Sequence, residues 1–247
     1  WYYGNKVYSA DTSFTWSVSD ALGTIDEDGT FTAVQTGRDV TGTLTVTYGE
    51  TSCTLSVTVG SSQPFDDTKG HWAESYITEL YYAGTLQGSE KNGKLYYRPD
   101  ASMTRQEFIV AMMRYLGTDL SAYASVQLPF DDSGSIASWA KSAMQAAYQL
   151  GYLTGSKTNG KLLAKPGSTI SRQEAMTILS RTKDFADADL NVLSAFSDSG
   201  KIADWARTAL AQMTQQKIIS GSKGKLNPTG KVTRAEVAKM LYMLSES

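Results

Sequence analysis

The sequence predicts a multidomain chain: a small all-β sandwich followed by an all-α region in which three repeated units close on one another. Three observations carry this expectation. Residues 1–60 are dense in Thr, Ser, Val and Gly and alternate apolar with polar residues, the period of half-buried strands. Beyond Pro64 the apolar residues recur at spacings of three and four, the period of amphipathic helices. One series of residues then occurs three times, and repetition is to be sought before a fold is named. A length of 247 residues gives a prior of about one to two domains, each able to bury a core.

In the first region the alternating runs are Phe14, Trp16 and Val18, then Leu44, Val46 and Tyr48, then Leu55, Val57 and Val59. Asp28-Gly29 and Tyr48-Gly49 punctuate them as turns, which argues several short antiparallel strands. Cys53 lies in such a run and is expected to be a small buried apolar residue. Gly60-Ser61-Ser62-Gln63-Pro64 has linker composition, and its proline disfavours helix at the preceding residue. The expected boundaries are a sandwich at 1–60, a linker at 61–64, and repeats at 65–118, 119–184 and 185–247.

The first repeat carries Phe65-Asp66-Asp67, His71-Trp72-Ala73, Gly88-Ser89, Gly93-Lys94-Leu95, Pro99 and Thr104-Arg105-Gln106-Glu107. The second carries Phe130-Asp131-Asp132, Ser138-Trp139-Ala140, Gly155-Ser156, Gly160-Lys161-Leu162, Pro166 and Ser171-Arg172-Gln173-Glu174. The third carries Phe196-Ser197-Asp198, Asp204-Trp205-Ala206, Gly221-Ser222, Gly224-Lys225-Leu226, Pro228 and Thr233-Arg234-Ala235-Glu236. Trp to the first loop glycine is 16 residues in every copy, and Pro to Arg is 6. The third copy lacks two residues between its glycines and two more before its proline, deletions that loops tolerate. Each unit reads as helix, glycine-punctuated loop, helix. One unit alone exposes an apolar face that its neighbours must cover. Met112, Met113, Met144 and Met213 are expected as core gap-fillers.

Thr104 with Glu107, Ser171 with Glu174, and Thr233 with Glu236 each have capping-box spacing, a structural role in which hydroxyl and carboxylate satisfy helix-start amides reciprocally. The arginines between them sit at the unfavourable end of the helix dipole. Arg105, Arg172 and Arg234 therefore ask for an anion nearby. Two readings stand: a ligand carboxylate or phosphate, or an inter-repeat salt bridge to an aspartate such as Asp67, Asp132 or Asp198. Trp72, Trp139 and Trp205 serve either as packing or as platforms for the apolar face of a sugar. Gly88, Gly155 and Gly221 either make turns or let a ligand approach backbone amides. His71 has Ser138 and Asp204 as its counterparts, so nothing shared among the copies depends on it.

Composition narrows the function. Lys plus Arg is 23 against 25 Asp plus Glu, for a formal charge of −2, and no global basic field gathers nucleic acid. With Cys53 and His71 as the only residues of their types, neither an internal disulfide nor a Cys/His zinc site can be built. No apolar run reaches membrane-span length. Trp1 to Lys6 show neither a basic start nor an apolar core, so no targeting signal is expected there. A pair of carboxylates across a groove could act as a glycosidase, but capping accounts for the repeated acids. No enzyme and no cofactor are expected.

The series Phe-x-Asp, His-Trp-Ala, the glycine-punctuated loop with Gly-Lys-Leu and Pro, and Thr-Arg-Gln/Ala-Glu resembles the S-layer homology (SLH) motif, and residues 65–247 resemble a complete tandem of three. Val18-Ser19-Asp20, Gly23-Thr24-Ile25-Asp26, Asp28-Gly29-Thr30-Phe31-Thr32-Ala33 and Gly37 resemble bacterial immunoglobulin-like domains of group 2, shortened at their start. The resemblance implies a small all-β Ig-like sandwich followed by an all-α pseudo-threefold three-motif SLH spindle. It implies a noncatalytic anchor at the extracellular face of a Gram-positive-type cell wall. Grooves between motifs would bind secondary cell-wall polysaccharide through a pyruvylated amino sugar, its carboxylate facing Arg105, Arg172 or Arg234. Trp72, Trp139, Trp205, Gly88, Gly155 and Gly221 would line them. The partners implied are this polysaccharide and an upstream catalytic or structural domain, with no nucleic acid and no membrane span. The second copy departs from the motif at Ser138, at Ser171, and at Leu163-Ala164-Lys165, where an aromatic is usual before Pro166; three equivalent sites are not expected. The alternative function is an assembly module making protein–protein contacts in the envelope.

Overall fold

A computed structural model describes residues 2–3, 6–7 and 14–246; Trp1, at the start of the stretch read as free of a targeting signal, lies outside the described residues. The chain divides into two compact units, 1–64 and 65–247, and each is described by itself.

The first unit is β-rich. After β1 (Tyr2–Tyr3) and β2 (Lys6–Val7), β3 (Thr15–Val18), β6 (Val40–Tyr48) and β7 (Thr51–Val59) form an antiparallel sheet in the order β3-β6-β7. β4 (Gly23–Ile25) and β5 (Phe31–Ala33) pair as a separate hairpin. β6 and β7 run in register from Val40 opposite Val59 to Tyr48 opposite Thr51. Cross-strand hydroxyl contacts at Thr41–Thr58 and Thr45–Thr54 reinforce that pairing. Leu22 is fully buried beneath Gly42, where a Cβ would meet Ser19 and Leu22 side-chain atoms at 2.9–3.0 Å. Cys53, expected to be buried, is exposed, because β7 turns most of its length to solvent.

In the second unit each motif has two helices. They are α1 (Glu74–Tyr82) and α2 (Arg105–Tyr115), α3 (Lys141–Gln149) and α4 (Arg172–Leu179), and α5 (Arg207–Gln215) and α6 (Arg234–Ser245). The expectation of an all-α pseudo-threefold spindle is corrected by what lies between them. β8 (Ser89–Lys91) pairs with β9 (Lys94–Tyr96), and β10 (Ser156–Thr158) with β11 (Lys161–Leu163). In the third motif the same place holds an isolated bridge between Ser222 and Lys225. Further bridges join Ser102 to Thr233, Thr104 to Thr169 and Ser171 to Lys231. The architecture is mixed α and β. Asn92-Gly93 and Asn159-Gly160 supply consecutive positive φ angles, as a two-residue hairpin turn requires. Three-residue strands are too short to show a period, which is why the loops read as irregular.

The motifs close into a ring through their backbones. Met103 N donates to Val232 O, Val232 N to Ile170 O, and Ile170 N to Met103 O, at 3.0–3.1 Å. All three residues are buried. Around this ring the six helices contribute one continuous apolar core that includes Phe65, Phe130 and Phe196. Those phenylalanines lie under the first loop glycines. A Cβ on Gly88 would overlap the Phe65 ring, one on Gly155 would come within 2.6 Å of Phe130, and one on Gly221 within 2.8 Å of Phe196.

The motif aspartates hold the strand that follows. Asp67 accepts from the amides of Tyr97 and Arg98, Asp132 from Ala164 and Lys165, and Asp198 from Leu226 and Asn227, all at 2.7–2.9 Å. Arg98, Lys165 and Asn227 have positive φ, a strained conformation for residues with a Cβ, and the carboxylate grips the backbone there.

Two outcomes follow from these contacts. Gly155→Ala, which combines the Phe130 overlap with a φ of +71°, is expected to lower the unfolding free energy by about 1–3 kcal/mol, read from urea denaturation. Burial by itself would raise the Asp198 carboxyl, but the Leu226 and Asn227 amides outweigh it and hold the carboxyl below its usual range. The stability it contributes is present above its unfolded-state value and lost as pH falls through the folded one. Stability measured in a pH series below about pH 4 is therefore expected to fall less steeply in Asp198→Asn than in the parent chain.

Candidate functional site

The Thr-Arg-Gln/Ala-Glu residues open α2, α4 and α6. Thr104, Ser171 and Thr233 accept from the amides of Glu107, Glu174 and Glu236, whose carboxylates return the contact to the cap amide at 2.8–3.0 Å. These starts are fixed further by the neighbouring motif. The amide of Arg105 donates to Ser168 O, that of Arg172 to Gly230 O, and that of Arg234 to Ala101 O.

Each arginine side chain reaches into the next motif around the ring. Arg105 Nε donates to Ala164 O, Arg172 Nε to Leu226 O, and Arg234 Nε to Tyr97 O, at 2.7–2.9 Å. The accepting residue is in each case one whose amide the motif aspartate holds. The ion-pair partner is a glutamate rather than an aspartate: Arg105 Nη1 meets Glu174 Oε1 at 2.9 Å, and Arg172 Nη1 meets Glu236 Oε1 at 2.8 Å. The same carboxylates cap their own helices through Oε2. One glutamate thus serves cap and inter-motif contact together. Burial pulls the Arg105 guanidinium below its usual value, against the opposing pull of Glu174 and Asp132.

Arg234 differs. Its Nη2 donates to Gln87 O at 2.9 Å and its guanidinium lies 4.4 Å above the Tyr97 ring, a cation–π contact. Among the described residues it has no carboxylate in ion-pair reach. The next residue differs as well. Gln106 and Gln173 accept from the amides of Ala137 and Ala203. Ala235 cannot, and the corresponding amide of Gly70 is satisfied by Glu74.

Three grooves result among the described residues, and each draws on all three motifs. The first combines Arg105, the Gly155 loop and Glu174, and Trp205. The second combines Arg172, the Gly221 loop and Glu236, and Trp72. The third combines Arg234, Gln87 and Glu107, and Trp139. Their volumes are 340, 710 and 260 Å³. Trp72, Trp139 and Trp205 are 55–58% exposed, so they present open indole faces rather than filling the core. Gly155 and Gly221 line their grooves, whereas Gly88 is not among the lining residues of the third.

Each groove has a second cation that the motif comparison did not single out: Arg181 in the first, Lys239 in the second and Arg114 in the third. Arg181 donates to Tyr152 O, and burial, followed by repulsion from Arg105, pulls it below its usual value. All three grooves carry more cations than carboxylates in a chain whose net charge is −2. The signal available in the sequence was spacing from the capping glutamate: Arg114 lies seven residues and Lys239 three residues beyond it on the same helix, and Arg181 lies seven beyond, in the turn that follows α4. Chemically, such a groove can accept an anionic group beside a flat apolar ring.

Comparison with known proteins agrees with this geometry. Residues 64–109, 129–176 and 195–238 match the S-layer homology domain. The chain is 28% identical over 207 residues to an amylopullulanase of Thermoanaerobacterium thermosulfurigenes, covering 82% of this chain and 10% of that protein. It is 29% identical over 242 residues to exoglucanase XynX of Acetivibrio thermocellus, covering 94% and 21%. It is 32% identical over 192 residues to the surface-layer 125 kDa protein of Lysinibacillus sphaericus, covering 73% and 15%. The chain therefore spans between a tenth and a fifth of the length of these relatives. With three matched motifs arranged in a closed ring, the chain belongs to the S-layer homology domain family, the noncatalytic modules that attach proteins to the outside of the cell wall.

Proposed function

We propose that the three inter-motif grooves bind secondary cell-wall polysaccharide, with the carboxylate of a pyruvylated amino sugar at Arg105, Arg172 or Arg234. The observation that carries this reading is the convergence of an arginine, a positive balance and an exposed tryptophan from three different motifs in every groove. A guanidinium accepts a carboxylate in its planar fork, and an indole face covers the apolar face of a sugar ring. Arg105 and Arg172 each spend Nε and Nη1 on the scaffold, which leaves Nη2 for the ligand. Glycines 88, 155 and 221 act by seating the loop on Phe65, Phe130 and Phe196.

In this reading residues 65–118, 119–184 and 185–247 are the three anchoring motifs, and the cargo is a catalytic or structural domain outside these residues. The names of the enzyme and surface-layer relatives support that division. The β-rich unit, whose sequence resembles group 2 immunoglobulin-like domains, is a spacer between anchor and cargo.

The test is co-sedimentation of the chain with purified sacculi whose secondary polysaccharide is intact or chemically stripped. Binding is expected to intact sacculi and to be lost on stripping. Trp72→Ala, Trp139→Ala and Trp205→Ala are each expected to weaken binding to the groove they line by up to about tenfold, the worth of a ring contact of roughly 1.4 kcal/mol. Their thermal unfolding midpoints should stay near the parent value, since exposed side chains contribute little to stability. Equal binding to stripped sacculi would replace the polysaccharide with a protein or peptidoglycan partner.

A further inference from the structure

The groove around Arg172 differs from the other two in charge and size. At 710 Å³ it is the largest, and Lys223, Lys225 and Lys239 line it beside Arg172 with Glu236 as the one lining carboxylate. The grooves around Arg105 and Arg234 each hold two cations against one carboxylate. Glu236 is already engaged by Arg172 at 2.8 Å and by the cap amide of Thr233. Among the described residues none of the three lysines has a carboxylate in ion-pair reach, although Lys239 is half-buried.

The origin of the difference is local. In the first two motifs the loop lysines stand on hairpins, at Lys91 and Lys94 and at Lys157 and Lys161, and none of them lines the grooves built on the three arginines. The third motif lacks two residues between its glycines. Its loop is a single bridge from Ser222 to Lys225, turned by Lys223 and Gly224 at φ +50° and +69°. In this shortened turn Lys223 and Lys225 line the groove together with Lys239 of α6. With four cations against Glu236 in the lining, one sugar carboxylate at Arg172 leaves the groove two positive charges in excess.

We infer that the Arg172 groove takes an acidic glycan segment carrying two anionic groups on neighbouring units, one at Arg172 and one at Lys239, Lys223 and Lys225, whereas the other two grooves take one. This rests on the polysaccharide reading above and adds the charge pattern of the glycan to it.

Titration calorimetry of the full chain with two probes tests it. One is the methyl glycoside of a pyruvylated N-acetylhexosamine, with a single carboxylate. The other is the same sugar linked to a uronic acid, with two. The two-carboxylate probe is expected to bind at least about tenfold more tightly, the effect of one added charge-assisted hydrogen bond, and to weaken more steeply with salt. Lys239→Gln should bring the two-carboxylate probe down toward the affinity of the single-carboxylate probe, a larger fold-loss than it causes for the single-carboxylate probe itself. Lys157→Gln, on the β10 hairpin and outside all three lining sets, should change neither. Equal affinities for the two probes, or a Lys239→Gln variant that keeps the advantage or loses both probes alike, would overturn the two-anion inference and leave the polysaccharide reading standing. Binding of neither probe by the parent chain would overturn that reading and this inference with it.

Discussion

Three hydrogen bonds at the centre of the SLH unit govern the rest of it: Met103 N to Val232 O, Val232 N to Ile170 O, and Ile170 N to Met103 O. Each residue donates to one neighbour and accepts from the other, so removing any motif orphans a buried amide and a buried carbonyl. Such groups are costly when unpaired. The cycle also fixes the helices that start two residues later. Once Met103, Ile170 and Val232 are placed, the amides of Arg105, Arg172 and Arg234 meet the loops of the next motif. The guanidinium groups then have one direction in which to extend. Threefold repetition is thus a condition of folding, and the grooves follow from it.

Much of this was legible in the residues and some was not. The capping pairs could be read because a cap is a local contact between residues three apart. The Phe–Gly pairing could be seen only as two recurring residues, since the overlap of Gly155 with Phe130 joins positions 25 apart. The aspartates, one of the two anion sources the sequence offers for the arginines, hold backbone amides instead, and the ion pairs go to glutamates. A carboxylate ending a Phe-x-Asp turn satisfies two backbone amides of a strained segment, and no sequence pattern distinguishes that use from an ion pair. Glu174 and Glu236 were passed over because capping accounted for them, yet a carboxylate has two oxygens and each serves a different partner. The all-α expectation failed on strands of three residues, below the length at which alternation can be told from irregular loop. Cys53 was placed in a buried strand because period two tells which side chains share a face, not whether that face is covered.

The contacts common to all three junctions are those that use backbone on the accepting side. Nε of each arginine meets a carbonyl whether the residue supplying it is Tyr97, Ala164 or Leu226. This explains why Leu163-Ala164-Lys165, which departs from the usual aromatic pattern, leaves the junction intact. Contacts that depend on a partner side chain vary instead. Arg234 lacks the glutamate pairing of Arg105 and Arg172, and Ala235 lacks the reach of Gln106 and Gln173. Both differences fall where the third motif meets the first. There Tyr97 compensates, placing its ring under Arg234 and donating its hydroxyl to Arg234 O. The ring is therefore held by interactions insensitive to side-chain identity, and the groove walls are free to diverge.

That division bears on how an anion would be held. A long side chain recruited from solvent loses rotamer freedom when it meets its ligand, at a cost of about 0.5–1.5 kcal/mol. Arg105, Arg172 and Arg234 have already lost that freedom, because carbonyls of the next motif fix each Nε. At Arg105 and Arg172 the neighbouring glutamate pairs with the guanidinium through Nη1 without filling its fork, since the other terminal nitrogen stays uncommitted. The conformational cost of positioning is met when the three motifs close, and none of it falls on binding. An arginine at the wrong end of a helix dipole is thus consistent with both readings the sequence allowed. The inter-motif contact is what orients it, and the donors left over are what an anionic sugar would meet.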